Sequence, residues 1–284
     1  MFVCCTSCLQ AQTFDWWANN VHWDGVTSWK RYLIYAPGFM GPNALPVPEL
    51  SNGNIDSNTW VGATGAFHFS EGDNTQNLKL KANILIAKDR VSLDFTYIPI
   101  EWFQEDYETK TERHVYYEYY YTKQVPGDAY MNINIQLLNK WRPNIQLALR
   151  VGYRFPTSSA YGPARYTDAP AYYFDLSFSK PQSQYLKLTG MAGFLAWQTN
   201  SDVEFQNDAL VLGGGIEYNK KNLRVQLQAC TYYGYMKDRD DPLVLRLYLD
   251  KNYGRFGTLL HFQQGMHDFD YTTVEAGFSY RLKK

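Results

Sequence analysis

No stretch of this 284-residue chain approaches the ~18 consecutive apolar residues that a membrane-crossing helix needs. Cysteine is nearly absent: three of the four, Cys4, Cys5 and Cys8, crowd the start, and only Cys230 lies beyond. If the first dozen residues are cleaved, the mature chain holds one cysteine and no internal disulfide, and no paired-cysteine metal motif appears. Charge of one sign is lacking too. Lys plus Arg number 27 against 28 for Asp plus Glu, a net charge of −1, so no basic field calls for nucleic acid. No nucleotide fingerprint appears. Gly213-Gly214-Gly215 follows a strand onset but opens no helix, so it reads as room for strand bending or a close neighbour rather than a phosphate cradle. No metal and no cofactor are expected.

Aromatic residues are abundant, 17% of the chain with 24 Tyr, 16 Phe and 8 Trp. Such rings suit a boundary between lipid and water, where the body is buried and the tip stays wet. The last residues are the most informative. Val274, Ala276, Phe278, Tyr280 and Leu282 are apolar and two apart, with Glu275, Gly277, Ser279 and Arg281 between them. On a pleated strand, side chains two apart share a face, so one face is greasy and the other polar.

The same alternation recurs from Thr59 onward in about twelve segments. They span Trp60–Ser70, Asn77–Ala87, Arg90–Trp102, Ala129–Leu138, Asn144–Phe155, Ala171–Ser179, Tyr185–Trp197, Ala209–Tyr218, Leu223–Tyr235, Leu243–Asp250, Arg255–Gln264 and Thr272–Leu282. Ten or more residues is long for a soluble strand and enough for a tilted strand to span a bilayer. Connections alternate in length. Lys88-Asp89, Asn139–Pro143, Lys180–Gln184, Asn219–Asn222 and Lys251–Gly254 are short. Glu71–Gln76, Phe103–Asp128, Pro156–Pro170, Gln198–Asp208, Met236–Pro242 and Gly265–Tyr271 are longer on the whole and more acidic. Short turns at one end and long loops at the other are the build of a transmembrane barrel. The expected fold is all-β, a closed antiparallel up-and-down barrel over 59–284. An even strand number puts both termini on the short-turn, periplasmic side.

Period two also sorts the faces. Ile133, Ile135 and Leu137 oppose Asn132, Asn134 and Gln136; Leu243, Leu245, Leu247 and Leu249 oppose Arg246, Tyr248 and Asp250. The polar face then lines a lumen with Lys79, Lys81, Asp94, Arg150, Arg154, Asp175, Lys187, Glu217, Arg224, Arg246, Asp250, Arg255, Glu275 and Arg281. In a narrow interior these charges pair or are hydrated. They either brace the barrel or form a pore with a slight preference for anions, since bases outnumber acids.

Two stretches precede the barrel. Residues 1–12, apolar and ending near Ala11, read as the remnant of a secretory signal peptide; a weaker reading acylates Cys8. Residues 13–58 hold Trp16, Trp17, Trp23 and Trp29 with Pro37, Pro42, Pro46 and Pro48. That proline density blocks regular helix and central strand, though Tyr32–Tyr35 could form one short strand. The segment is expected to be ordered, as a lumen plug or a periplasmic docking arm.

His68 and Ser70, with Asn83 on the next strand, resemble the His-x-Ser and downstream Asn of outer-membrane phospholipase A, which implies a serine nucleophile with a histidine base. Facing opposes the match, because Phe67 and Phe69 take the lipid side and turn His68 and Ser70 inward. The loop Phe103–Asp128 sets Tyr116, Tyr117, Tyr119, Tyr120 and Tyr121 among Glu105, Asp106, Glu108, Glu112 and Glu118, and is expected to extend the barrel as a hairpin. Asp238, Asp240 and Asp241 read as solvated loop charge. Taken together, 59–284 resembles the Gram-negative outer-membrane β-barrel class. The class resemblance implies a narrow, porin-like passive channel for small solutes without catalysis. Alternatives are a non-conducting subunit with an outer-membrane or periplasmic protein partner, and a lipid-modifying enzyme. Outer-membrane lipid is the expected environment.

Overall fold

A computed structural model describes residues 14–141, 145–199, 205–236 and 238–282. The expectations for the first twelve residues therefore lie outside the described residues. Among the described residues, thirteen strands form one sheet. They are β1 (Trp60–Ser70), β2 (Asp73–Ala87), β3 (Val91–Glu105), β4 (Gln124–Val125), β5 (Ala129–Trp141), β6 (Ile145–Phe155), β7 (Ala171–Pro181), β8 (Leu186–Gln198), β9 (Gln206–Lys220), β10 (Leu223–Tyr233), β11 (Leu243–Tyr253), β12 (Phe256–His267) and β13 (Thr272–Arg281). Each long strand pairs antiparallel with its sequence neighbours, and β13 returns to β1 from Trp60↔Arg281 to Phe69↔Thr272. Twelve long strands thus close a barrel, which is the condition for spanning hydrocarbon. Two-residue β4 only extends the wall of β3, at Glu101↔Val125 and Trp102↔Gln124.

The outer face carries a belt of exposed apolar side chains, among them Leu80, Ile84, Phe95, Val151, Phe174, Leu176, Leu212 and Leu245. Aromatic residues edge it at both ends. Tyr153, Tyr172 and Tyr233 sit toward the long loops, and the pairs Tyr185–Tyr218 and Phe256–Tyr280 sit toward the short turns. A surface this greasy and this continuous is a membrane-spanning surface.

Several strands outrun the apolar alternation. The expected loop Glu71–Gln76 is a two-residue turn at Glu71-Gly72, with Gly72 at φ +74°, and β2 already begins at Asp73. Here Asp73 and Thr75 are buried inside while Asn74 and Gln76 are exposed outside. Above the lipid both faces are polar, so hydrogen bonding continues after the hydrophobic signal has stopped. The same holds for Gln206–Asp208 and for Asn219-Lys220. In β3, Pro99 sits in an irregularity between the pairs Leu80↔Tyr97 and Leu78↔Ile100, which shifts the inward face from Asp94 and Thr96 to Glu101, Phe103 and Glu105.

Residues 14–20 are helical, Trp29–Arg31 and Pro37–Phe39 form short 3-10 turns, and Tyr32–Tyr35 is not a strand. The long β3–β5 connection is not a plain hairpin. It folds as a helix, Tyr107–Glu112, capped by the Asp106 side chain accepting from Thr109 N at 2.8 Å, then a 3-10 turn, Tyr117–Tyr119.

Candidate functional site: a charged lumen threaded by its own chain

Residues 36–58 run through the inside of the barrel, and their partners can be followed in order. Gly38 N donates to Arg239 O and Gly41 N to Ala164 O, both on long loops. Asn43 Nδ2 donates to Asn77 Oδ1 at 3.0 Å and to Glu101 Oε2 at 2.7 Å on the upper wall. Arg154 donates to Ala44 O, Arg246 to Val47 O at 2.6 Å and Pro48 O at 3.2 Å, and Arg150 to Glu49 O at 2.7 Å. Leu50 N donates to Gln228 Oε1, Asn52 Nδ2 to Glu217 Oε2, and Ile55 N to Gln136 Oε1. Asn83 finally donates to Asn58 O beside the start of β1. The chain thus descends from the long-loop rim to the short-turn rim. An extended, proline-bearing segment presents carbonyls that lack a sheet partner. Wall guanidinium groups satisfy them, and hydrogen bonds to charged donors each contribute about 1.5–3 kcal/mol.

The wall makes room for this passenger. A Cβ at Gly215 would lie 3.0 Å from Leu50 Cδ2 and 2.5 Å from Leu227 O, while one at outward-facing Gly214 would meet nothing within 4 Å. The close neighbour of the triple glycine is therefore Leu50. Around it a buried cluster joins Met40, Leu45, Val47 and Leu50 of the segment to Met191, Trp197, Val211, Cys230 and Tyr232 of the wall.

Most of the charges expected to line the lumen do face it, as cross-strand pairs. Arg150 meets Asp175 at 2.7 Å, Lys187 meets Glu217 at 3.3 Å, and Arg224 pairs with Asp250, which also accepts from His261 at 2.9 Å. Glu275 sits between Lys79 at 3.3 Å and Lys81 at 2.5 Å. Asp94 accepts from Asn134 at 2.7 Å, Arg246 donates to Gln263 at 2.6 Å, and Arg154 lies 3.8 Å from Asp128. Arg281 ends β13 on the same face as Glu275, at the short-turn rim. Arg255 is the correction. It lies exposed in the turn between β11 and β12, its guanidinium 3.5 Å from the Tyr280 hydroxyl, because strand β12 begins only at Phe256.

The lumen is dry in some places and wet in others. Arg154 is 3% exposed. The Lys81 side chain retains 19%, and Glu49, though enclosed by the barrel, is exposed to water. Glu49 lies in the electrostatic field of Lys81, Arg246, Glu275 and His261.

A second charge cluster sits in the upper lumen, and the alternation pattern did not reveal it. Arg165, from the β6–β7 loop, donates to Glu101 Oε1 at 2.8 Å, to Asp73 at 2.5 Å and to Thr75 at 2.5 Å, over the Phe103 ring. Arg113, from the β3–β5 connection, reaches Asp73 at 2.6 Å, Glu105, and the Tyr271 hydroxyl at 2.8 Å. Three buried wall carboxylates thus hold two loop guanidinium groups, which pins both long loops across the mouth. The interior proline of β3 was the available signal, since it marks the shift that turns Glu101 inward.

At the rim, residues 14–35 pack on the tyrosine-rich connection. Trp29 stacks on Tyr116 at 4.6 Å and 8°, and Trp16 meets Tyr107 at 5.1 Å and Tyr120 at 5.8 Å. His68 Nδ1 and Nε2 are taken by Thr273 Oγ1 and Asn77 Oδ1. Asn83 pairs with Trp60 at the far end of β1, so His68, Ser70 and Asn83 do not converge. Asp240 is buried rather than solvated. It accepts from Asn207 Nδ2 at 2.6 Å and Met236 N at 3.0 Å, and burial pushes its carboxyl up to about 7.

No family model and no curated protein matches the chain. Solved structures do. The NanC porin superposes with a TM-score of 0.53 at 10% identity, over 78% of this chain and 100% of that one. The KdgM porin, in a complex with disordered oligogalacturonate, gives 0.50 at 9% identity, over 78% of this chain and 99% of that one. At such identity the likeness is one of fold: a closed barrel of the outer-membrane β-barrel type.

Proposed function

We propose that this protein sits in the outer membrane of a Gram-negative bacterium and passes small solutes through a narrow water path left between the threaded segment and the wall. The supporting observation is Glu49, a charged side chain wet inside the barrel and faced by Lys81, Arg246 and Glu275. A core sealed by packing would not leave a carboxylate hydrated there. Two barrels of the same fold, NanC and KdgM, are porins. On this reading the protein carries no cofactor, catalyses no reaction, and meets lipid with its outer belt. Purified full-length protein in planar bilayers should give small, discrete current steps. Silence at every voltage below membrane breakdown sinks the channel reading. It would favour a non-conducting subunit that docks a protein partner, a reading supported by the guanidinium clamp on the segment and the aromatic rim.

A further inference from the structure

The polar contacts of the wall with the threaded segment fall mainly on its main chain. Arg154, Arg246 and Arg150 donate to carbonyls of Ala44, Val47, Pro48 and Glu49. Tyr130 donates to Asn43 O at 3.0 Å, Gln228 accepts from Leu50 N at 3.2 Å, and Gln136 both accepts from Ile55 N at 3.0 Å and donates to Gly53 O at 2.9 Å. These contacts read backbone rather than sequence. Pro42, Pro46 and Pro48 bring no N–H, so this stretch offers mostly acceptors, and the wall answers with donors.

The direction of the thread is equally informative. Strand β1 begins and β13 ends at the short-turn rim, where Trp60 pairs with Arg281. Residues 14–35 sit at the opposite rim. Trp17 Nε1 donates to His114 O at 3.2 Å, Asn20 to Thr111 O at 3.1 Å, and Lys30 pairs with Asp168 at 2.6 Å, all on long loops. In a transmembrane barrel the long loops face outward and the short turns face the periplasm. The chain ahead of β1 therefore crosses the membrane once more, inside the lumen and outside the sheet.

We propose that the lumen is a conduit for extended polypeptide, and that residues 14–35 have been delivered through it to the outer surface, where the long loops hold them. The wall chemistry suits such passage, with donors and acceptors that meet a peptide backbone from Asn43 to Ile55. Residues 36–58 then occupy the conduit they travelled and narrow it to the residual water path. The claim rests on the outward orientation of the long loops and not on solute passage, so it can fail while the channel reading stands, and the reverse.

The test is a short epitope inserted after Val26, which is 89% exposed in a turn held by the Asp24 carboxylate. A second version carries the epitope in the Lys221-Asn222 turn at the other rim. Both are made in the full chain and probed with antibody on cells with intact outer membranes. The Val26 epitope should be bound on intact cells, and the Lys221-Asn222 epitope only after permeabilisation. If the Val26 epitope is reached only after permeabilisation, the proposal is overturned. A second comparison probes the wall in the same assay, counting only protein that migrates as folded barrel. Asn54→Ala, a change at an exposed side chain of the segment, should leave surface binding unchanged. Arg154→Ala combined with Arg246→Ala should lower it several-fold. The opposite ranking would show that side chains, not the main chain, direct the thread.

Discussion

Arg165 Nε donates to Glu101 Oε1 at 2.8 Å, and both side chains are fully buried, one on a loop and the other on the barrel wall. The contact joins the β6–β7 loop to β3 across the mouth of the lumen. Removing one partner of such a pair leaves an uncompensated charge, and here Asp73 and Glu105 would be left with Arg113 alone. Arg165→Ala should therefore cost about 3–5 kcal/mol. Arg165→Lys should not restore it, because a single ammonium cannot span Glu101, Asp73 and Thr75 as the guanidinium fork does. The temperature at which the compact barrel converts to the unfolded band in detergent gels measures both. An unchanged conversion temperature in Arg165→Ala would count against the pinned-loop architecture.

The two glycines at 214 and 215 make a paired comparison. Gly214→Ala points into open space and should be silent. Gly215→Ala presses on Leu227 O and on Leu50 of the threaded segment and should lose about 1–3 kcal/mol, the usual cost of overpacking. Urea midpoints in the same detergent distinguish them. Equal midpoints would mean that Leu50 does not seat against β9.

Asp240 carries a pH prediction. Its carboxyl is pushed from 3.8 up to about 7, by burial first and then by Asp241 and Asp268 nearby, while Asn207 and the Met236 amide oppose the rise. The folded protein therefore holds this proton more tightly than the unfolded chain. The stability it contributes is fully present below about 4 and is lost as pH climbs toward about 7. Subtracting the urea midpoints of Asp240→Asn from those of the parent should give a difference that falls across that window. A difference flat with pH would place Asp240 in water.

The outer belt has its own test. Leu176 is 47% exposed and pairs with Leu149 and Ala192 in the middle of the sheet. If that surface meets hydrocarbon, Leu176→Arg should cost about 2–4 kcal/mol when the protein folds into lipid vesicles. Exposed to water, the same change would be neutral or favourable.

Most of the barrel was legible because alternation is written wherever one face meets lipid and the other does not. The twelve long strands, their order and the inward face of Arg150, Asp175, Glu217 and Arg246 follow from that period. Strand ends were not legible, because beyond the lipid both faces are polar, as at Asn74, Thr75 and Gln76. Arg255 was misplaced for the same reason: a charged residue next to a turn fits either assignment. The upper cluster was hidden for another reason. Asp73, Glu101, Glu105, Arg113 and Arg165 are far apart in sequence, and only closure of the barrel and inward folding of two loops bring them together. Nor does composition say where a proline-rich segment goes. Its route through the lumen is set by wall arginines whose inward facing was readable, but whose second bonds, to main-chain carbonyls, were not.

The reversal potential of single-channel current under a salt gradient, compared between the parent and Lys81→Glu, tests the wet part of the lumen most directly. Lys81 shares Glu275 with Lys79 and faces Glu49. Replacing it with a carboxylate should move ion preference toward cations while the step size stays small. Discrete steps with an unshifted reversal potential would place the current elsewhere and contradict a path along Glu49, Lys81 and Glu275.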